Sequence, residues 1–353
     1  MSRVLLDYPH RMGGHCGSGA LRDLCEWRRL GWDGPPREGL VFVLGGDLSF
    51  RYARLEAFRP PIYLVGRGGD LETKMLSRIG AQAQLNQTDD PALGWAWTRQ
   101  QLDAGNPVLV WADIAELPYL RVRLQMSRHD IVIIGYDDER EEAYVVDNDR
   151  EAVQSVPYEA LRRARTSQGF PIPTRNATYE ITWPSKLPDV RQAAATALSD
   201  SAKAMTATAL GGDVLSELGL TSGGLGLDGL TAFAADIDAW PDVLDEESLT
   251  QTLRALPAFI EKAGTGGGLF RRLQSEGLRD LAELTHNSAV GVAADAYAAA
   301  STAWTHLSSI CASADPPSTR VAALSRVAFT IAALEREAVS AMSSASIELS
   351  HAS

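Results

Sequence analysis

The run Tyr8-Pro-His10-Arg-Met-Gly-Gly-His15-Cys16-Gly-Ser-Gly-Ala-Leu-Arg22 puts a thiol on a glycine-bordered turn where an amphipathic helix begins. Ala20, Leu21, Leu24, Cys25 and Trp27 recur at helical spacing, which predicts a helix starting near Gly17. Unpaired backbone N–H groups and the positive end of the dipole at a helix N-terminus favour thiolate over thiol. The thiolate is the reactive species, so Cys16 is a candidate nucleophile. The plain alternative is a small core cysteine beside a turn.

A cysteine nucleophile needs a base for its proton and a third group to orient that base. His129 opens the run His129-Asp-Ile-Val-Ile-Ile-Gly135-Tyr-Asp137, which reads as a buried strand rich in β-branched residues. A second strand follows in Ala143-Tyr-Val-Val-Asp147-Asn148, and the acidic tract between them reads as a hairpin connection. Side chains alternate faces, so register decides which residue meets His129. A connection of three or five residues puts Asp147 on the His129 face, and one of four puts Asn148 there. Either can accept from the imidazole; Asp147 is the preferred assignment. For the oxyanion, the Cys16 backbone N–H is one donor. No glutamine lies shortly upstream, but His10 stands six positions before Cys16 and His15 is adjacent to it, so either imidazole is a candidate second donor.

The segment Gly13-Gly-His-Cys16-Gly-Ser-Gly-Ala-Leu-Arg22, followed by Glu38-Gly-Leu-Val-Phe-Val-Leu-Gly-Gly-Asp-Leu-Ser-Phe-Arg-Tyr52, resembles the N-terminal domain of the butirosin-biosynthesis H family. The strands ending in Gly135-Tyr136-Asp137 and Val145-Val146-Asp147 fit the second half of the pattern, and the match covers about residues 7 to 185. That family is similar to bacteriocin-leader peptidases. The resemblance implies a papain-like α+β fold with an antiparallel sheet, Cys16 as nucleophile, His129 as base and Asp147 as orienting acid; His10, His15 and Asn148 remain supporting candidates from the reading of the residues above. It further implies acyl transfer from the phosphopantetheine thioester of an acyl or peptidyl carrier protein to a small-molecule amine, forming an amide. No cofactor is then held by the chain itself; the phosphopantetheine arm belongs to the partner. The absent upstream glutamine departs from the peptidase pattern and weakens a peptide-cleaving role.

Composition suits an enzyme of a reducing compartment, and a cytoplasmic location is expected. Of 353 residues, 45% are hydrophobic and 22% charged, enough for a sizeable core. Cys16, Cys25 and Cys311 have no framework spacing, and Cys25 reads as core. No signal peptide or membrane-spanning run is visible. His-Glu-x-x-His and Cys-x-x-Cys are both missing, so no metal site is expected. The net charge of −12 argues against nucleic acid. It also requires a local basic face if an acidic carrier protein is to dock. Arg51, Arg54, Arg59 and Arg67 form one candidate cluster and Arg162, Arg163 and Arg165 another; ordinary surface ion pairing is the alternative. Self-association is left open.

The chain changes character near residue 185. Before it, strands are predicted near 41–44, 61–65, 107–112, 129–135, 143–147 and 177–183, between helices near 16–30, 70–80, 91–104 and 157–165. After Trp183-Pro184-Ser185 the text turns rich in Ala, Leu, Ser and Gly, with helical patterns at 188–208, 227–238, 246–263, 267–285, 287–312 and 317–349. The expected organisation is a catalytic domain over 1–185 and an all-α domain over 186–353 that shapes the acceptor site. Within the latter, Ala263-Gly-Thr-Gly-Gly-Gly-Leu-Phe-Arg271-Arg272 is a glycine-rich turn feeding a helix, able to cradle an anion or to serve only as a turn. Tyr52, Arg271 and Arg272 are assigned to substrate binding. Three readings remain: amide-forming acyl transfer, which leads; thioester or peptide hydrolysis by the same residues; and a non-catalytic binding module.

Overall fold

The computed structural model describes residues 2–55, 58–207 and 222–351. The chain divides into two compact units, Met1–Glu38 with Leu76–Leu187, and Gly39–Met75 with Pro188–Ser353.

The first unit is α+β. Its antiparallel sheet runs in the order Gln82–Asn86, Thr178–Thr182, Val108–Ala112, His129–Asp137, Glu142–Val146, Gln154–Pro157, with Arg3–Leu5 also paired to the His129 strand. Ile131 and Ile133 join Val108, Val110, Val145, Val156 and Leu161 in a buried cluster, which also takes Leu102 from the helix Pro91–Asp103 and Ala160 and Ala164 from Tyr158–Arg165. Alternation turns Asp130, Val132 and Ile134 to the other face. The helix Cys16–Trp27 contacts this same strand. Asp90 caps the helix Pro91–Asp103 by accepting from Ala92 N–H at 2.9 Å, with Pro91 at the first helical position, where a missing N–H costs nothing.

The second unit is mainly helical: Val190–Thr206, Gly226–Val243, Glu246–Pro257, Arg271–Thr285, Ser288–Cys311 and Pro317–His351. Asp245 caps the third of these, accepting from Ser248 N–H at 2.7 Å. Residue 208, the end of one expected helix, lies outside the described residues.

A single cut at 185 does not describe this division, because segment 39–75 folds with the C-terminal helices. Its strands Leu48–Arg54 and Ile62–Arg67 form a three-stranded sheet with Ser222–Leu225. Phe50 packs on Phe233 and Trp304, Tyr52 on Phe233, and Phe42 stacks on Phe270 at 5.6 Å. The expected strand at 41–44 is instead part of the helix Glu38–Gly45, buried from Gly39 to Gly45. A short apolar run buried all round has no periodicity to separate helix from strand. Gly39 and Gly277 face each other backbone to backbone; a Cβ on Gly277 would fall 1.9 Å from the Gly39 carbonyl oxygen.

Candidate active site

Cys16 is the first residue of its helix and His15 is the N-cap, extended at φ −142° and ψ 137°. His15 Nδ1 accepts the Ser18 backbone N–H at 3.2 Å. A backbone N–H can only donate, so Nδ1 carries no proton in this arrangement and the ring hydrogen sits on Nε2. The turn ahead of the helix is held by one carboxylate. Glu38 accepts from Gly14 N–H at 2.9 Å, His15 N–H at 2.8 Å and Ser18 Oγ at 3.1 Å. These pin the loop that delivers the thiol.

His129 opens its strand, and its Nε2 stands 2.8 Å from Asp147 Oδ2. The same carboxylate oxygen accepts the Tyr119 hydroxyl at 2.7 Å, and Oδ1 accepts Asp149 N–H at 3.1 Å. With Nε2 committed to Asp147, Nδ1 is the nitrogen left for the Cys16 thiol, which interacts with this ring.

The charges reinforce one another. Burial alone would push the Cys16 thiol up; the His15 and His129 imidazoles beside it outweigh that and hold it well below the ordinary thiol range. Burial likewise disfavours the His129 cation, yet Asp147 and Cys16 raise it well above ordinary histidine. Asp147 is pushed up by burial but held down by His129 and Tyr119. By contrast, burial lifts Cys25 and Cys311 to about 12 each. A thiolate–imidazolium pair at Cys16 and His129 is what these environments favour.

The hairpin explains why Asp147 rather than Asn148 meets His129. Asp137 pairs with Glu142, leaving a four-residue connection, the length that would select Asn148. The register then shifts by one between Ile133 and Gly135: Gly135 pairs Tyr144, but Ile133 pairs Val145. This bulge reverses the parity and returns Asp147 to the His129 face. Gly135 also lets the N-terminal strand approach, since a Cβ there would lie 2.3 Å from the Val4 carbonyl oxygen.

Asn148 instead clamps the loop ahead of Cys16, donating from Nδ2 to the Gly13 carbonyl at 3.2 Å while its backbone carbonyl accepts Gly13 N–H at 3.0 Å. His10 does not serve as an oxyanion donor. Its Nδ1 lies 2.9 Å from Asp23 Oδ2 and its Nε2 2.7 Å from the Arg150 carbonyl, so both nitrogens are occupied. Two of the three substrate assignments are also revised, those of Tyr52 and Arg271. Tyr52 is 1% exposed and its hydroxyl donates a hydrogen bond to Asp236 within the second unit. Arg271 is fully buried, paired to Glu335 at 2.5 Å and bonded to the Gly66 carbonyl at 3.0 Å. Arg272 is exposed, and its Nε donates to the Gly266 carbonyl at 2.5 Å. The glycine-rich turn is a packing device: a Cβ on Gly266 would strike Leu273 and one on Gly268 would strike Ser301, and both backbones are left-handed.

Sequence reading missed Glu38, Tyr119 and Asp130. The first two lie far from the motifs they support, with no local signal. Asp130 follows His129 directly; it is buried, and Cys16 Sγ lies 3.9 Å from its Oδ2. Among the described residues no group of His, Cys, Asp and Glu could hold a metal ion, and no helix is long and apolar enough to cross a membrane.

Residues 15–148 match the family described as butirosin biosynthesis protein H, N-terminal, and residues 159–342 match a domain of unknown function, DUF4872. No curated protein matches the chain. The first match contains Cys16, His129 and Asp147, and the second covers more than half of the sequence. The second match shows that the chain belongs to the DUF4872 family, and the first that its N-terminal region is of the butirosin biosynthesis protein H type.

Proposed function

We propose that the protein is a cysteine-dependent acyltransferase of natural-product biosynthesis. Cys16 takes an acyl group from a carrier-protein phosphopantetheine thioester and passes it to an amine. The observation that carries this reading is the contact chain Cys16–His129–Asp147, held at a helix N-terminus. In acylation the Cys16 thiolate attacks the thioester carbon, and His129 gives its proton to the departing thiol. The neutral imidazole then accepts a proton from the attacking amine as the carbon–sulfur bond to Cys16 breaks, which restores the ion pair. The Cys16 backbone N–H and the His15 Nε2–H are the oxyanion donors, since His10 is committed elsewhere. A thioester donor suits a thiol nucleophile because exchange between sulfurs is nearly balanced, and the amide is the sink.

Intact-protein mass spectrometry tests this directly. Mixing with an acyl N-acetylcysteamine thioester should add one acyl mass that Cys16→Ala abolishes, and an amine should discharge it as amide. A wild-type chain that never acquires the acyl mass would sink the reading. An adduct discharged only by water, whatever amine is offered, would make the protein a thioesterase.

A further inference from the structure

The segment Pro118–Arg128 leaves the candidate triad and returns to it. Near its start the Tyr119 hydroxyl donates to Asp147 Oδ2 at 2.7 Å, and at its end Arg128 leads into His129. Between those anchors Arg121, Val122, Arg123, Leu124 and Gln125 are all exposed, Leu124 to 67%. The segment holds three arginines and no acidic residue, in a chain of net charge −12. Among the described residues Arg121 and Arg123 have no ion-pair partner. A cleft of about 670 Å³ flanks the crest, lined by Val122, Arg123, Leu124 and Phe170 and by Glu116, whose charge is met by Arg163, and Phe170 is itself 48% exposed.

Of the clusters expected from sequence, Arg162 and Arg163 are paired to Glu159 and Glu116, Arg165 is buried and Arg54 is bound to Asp236, while Arg51, Arg59 and Arg67 belong to the second unit and not to a loop anchored on the triad. Unspent positive charge beside exposed apolar side chains, on a loop tied to the triad at both ends, is the anatomy of a docking site for an acidic protein.

We propose that the crest Arg121–Gln125 docks the acidic carrier domain that presents the thioester. Arg121 and Arg123 meet carboxylates of that domain, and Val122, Leu124 and Phe170 cover its apolar face. This rests on the acyltransfer reading above, and charge complementarity selects the partner. The test compares one acyl group on an acidic carrier domain, on free phosphopantetheine and on N-acetylcysteamine. The double variant Arg121→Glu with Arg123→Glu should lose about 10- to 100-fold in kcat/KM with the carrier alone, together with the salt dependence of that rate. Arg162→Glu, on an already paired arginine, should change nothing. Full activity of the double variant on the carrier would overturn the proposal. An equal loss on free phosphopantetheine would overturn it too, by revealing a small phosphate site. If the wild type acylates from N-acetylcysteamine but never from the carrier, docking fails while acyl transfer stands. If no donor acylates Cys16, both fall.

Discussion

His129 Nε2 and Asp147 Oδ2 stand 2.8 Å apart because one residue of the His129 strand, Ile134, falls out of step with its neighbour. Without that bulge the four-residue connection would bring Asn148 to the imidazole. The partner of the imidazole is therefore fixed by a fault in pairing, and its contribution is measurable. Asp147→Ala should lower turnover by about 10³-fold, and His129→Ala should remove nearly all of it. Tyr119→Phe deletes one bond to the same oxygen and should cost about 10- to 100-fold, the worth of a hydrogen bond to a charged group. Asn148→Ala should act through the Gly13 clamp, lowering thermal stability more than turnover. Steady-state rates and melting temperatures of the four variants separate these outcomes.

Cys16 should be the fast-labelling thiol. Its pKa is depressed, so it carries more thiolate than an ordinary thiol at any given pH, whereas Cys25 and Cys311 ionise only near 12. Iodoacetamide mapping between pH 5 and 8 should find Cys16 modified first throughout. In Asp147→Ala the His129 cation loses its main support, so the alkaline limb of the rate profile should move down in pH.

Asp130 places a carboxyl 3.9 Å from Cys16 Sγ. A negative charge there opposes the thiolate, so Asp130→Asn should move the acid limb of Cys16 alkylation to lower pH. A shift to higher pH would instead mean that Asp130 is protonated and donates to the sulfur.

His10 links Asp23 to the Arg150 carbonyl through both ring nitrogens, a geometry that needs the imidazolium. Burial works against that cation, but the Asp23 and Arg150 bonds raise its pKa above the ordinary value. Its stabilisation is complete below about pH 6.5, the unfolded value, and is lost as pH rises through the higher folded value. The melting-temperature difference between wild type and His10→Asn should therefore be largest at pH 5–6 and shrink above neutrality.

A chain ending at Ser185 should not yield a working fragment. It keeps Phe42, Phe50 and Tyr52 but removes Phe233, Phe270 and Trp304, on which they pack. Low solubility and strong binding of a hydrophobic dye are expected. A soluble fragment with a cooperative melt would count against the division described here.

Much of the site was legible in the sequence because its signals are local. A thiol after two glycines, a histidine opening a β-branched strand and an acid closing the next one each announce themselves within a few residues. The bulge does not, since Ile134 looks like any other β-branched strand residue. Nor do Glu38 and Tyr119, whose roles depend on tertiary approach. The arginines misled for a related reason. Sequence shows that Arg271 is charged but not that Glu335, far along the chain, neutralises it inside the core. Tyr52 misled likewise, because Asp236 is equally remote.

The interleaved connectivity has a consequence for how the protein comes to be. A ribosome releases Gly39–Met75 long before residues 226–311 exist, so Phe42, Phe50, Tyr52 and Leu64 must wait, apolar and uncovered, through most of synthesis. The first unit can close over this excursion at modest cost, because loop-closure entropy grows only slowly with length. The second unit cannot form until late in translation. Its early strands are thus the part of the nascent chain most in need of a chaperone.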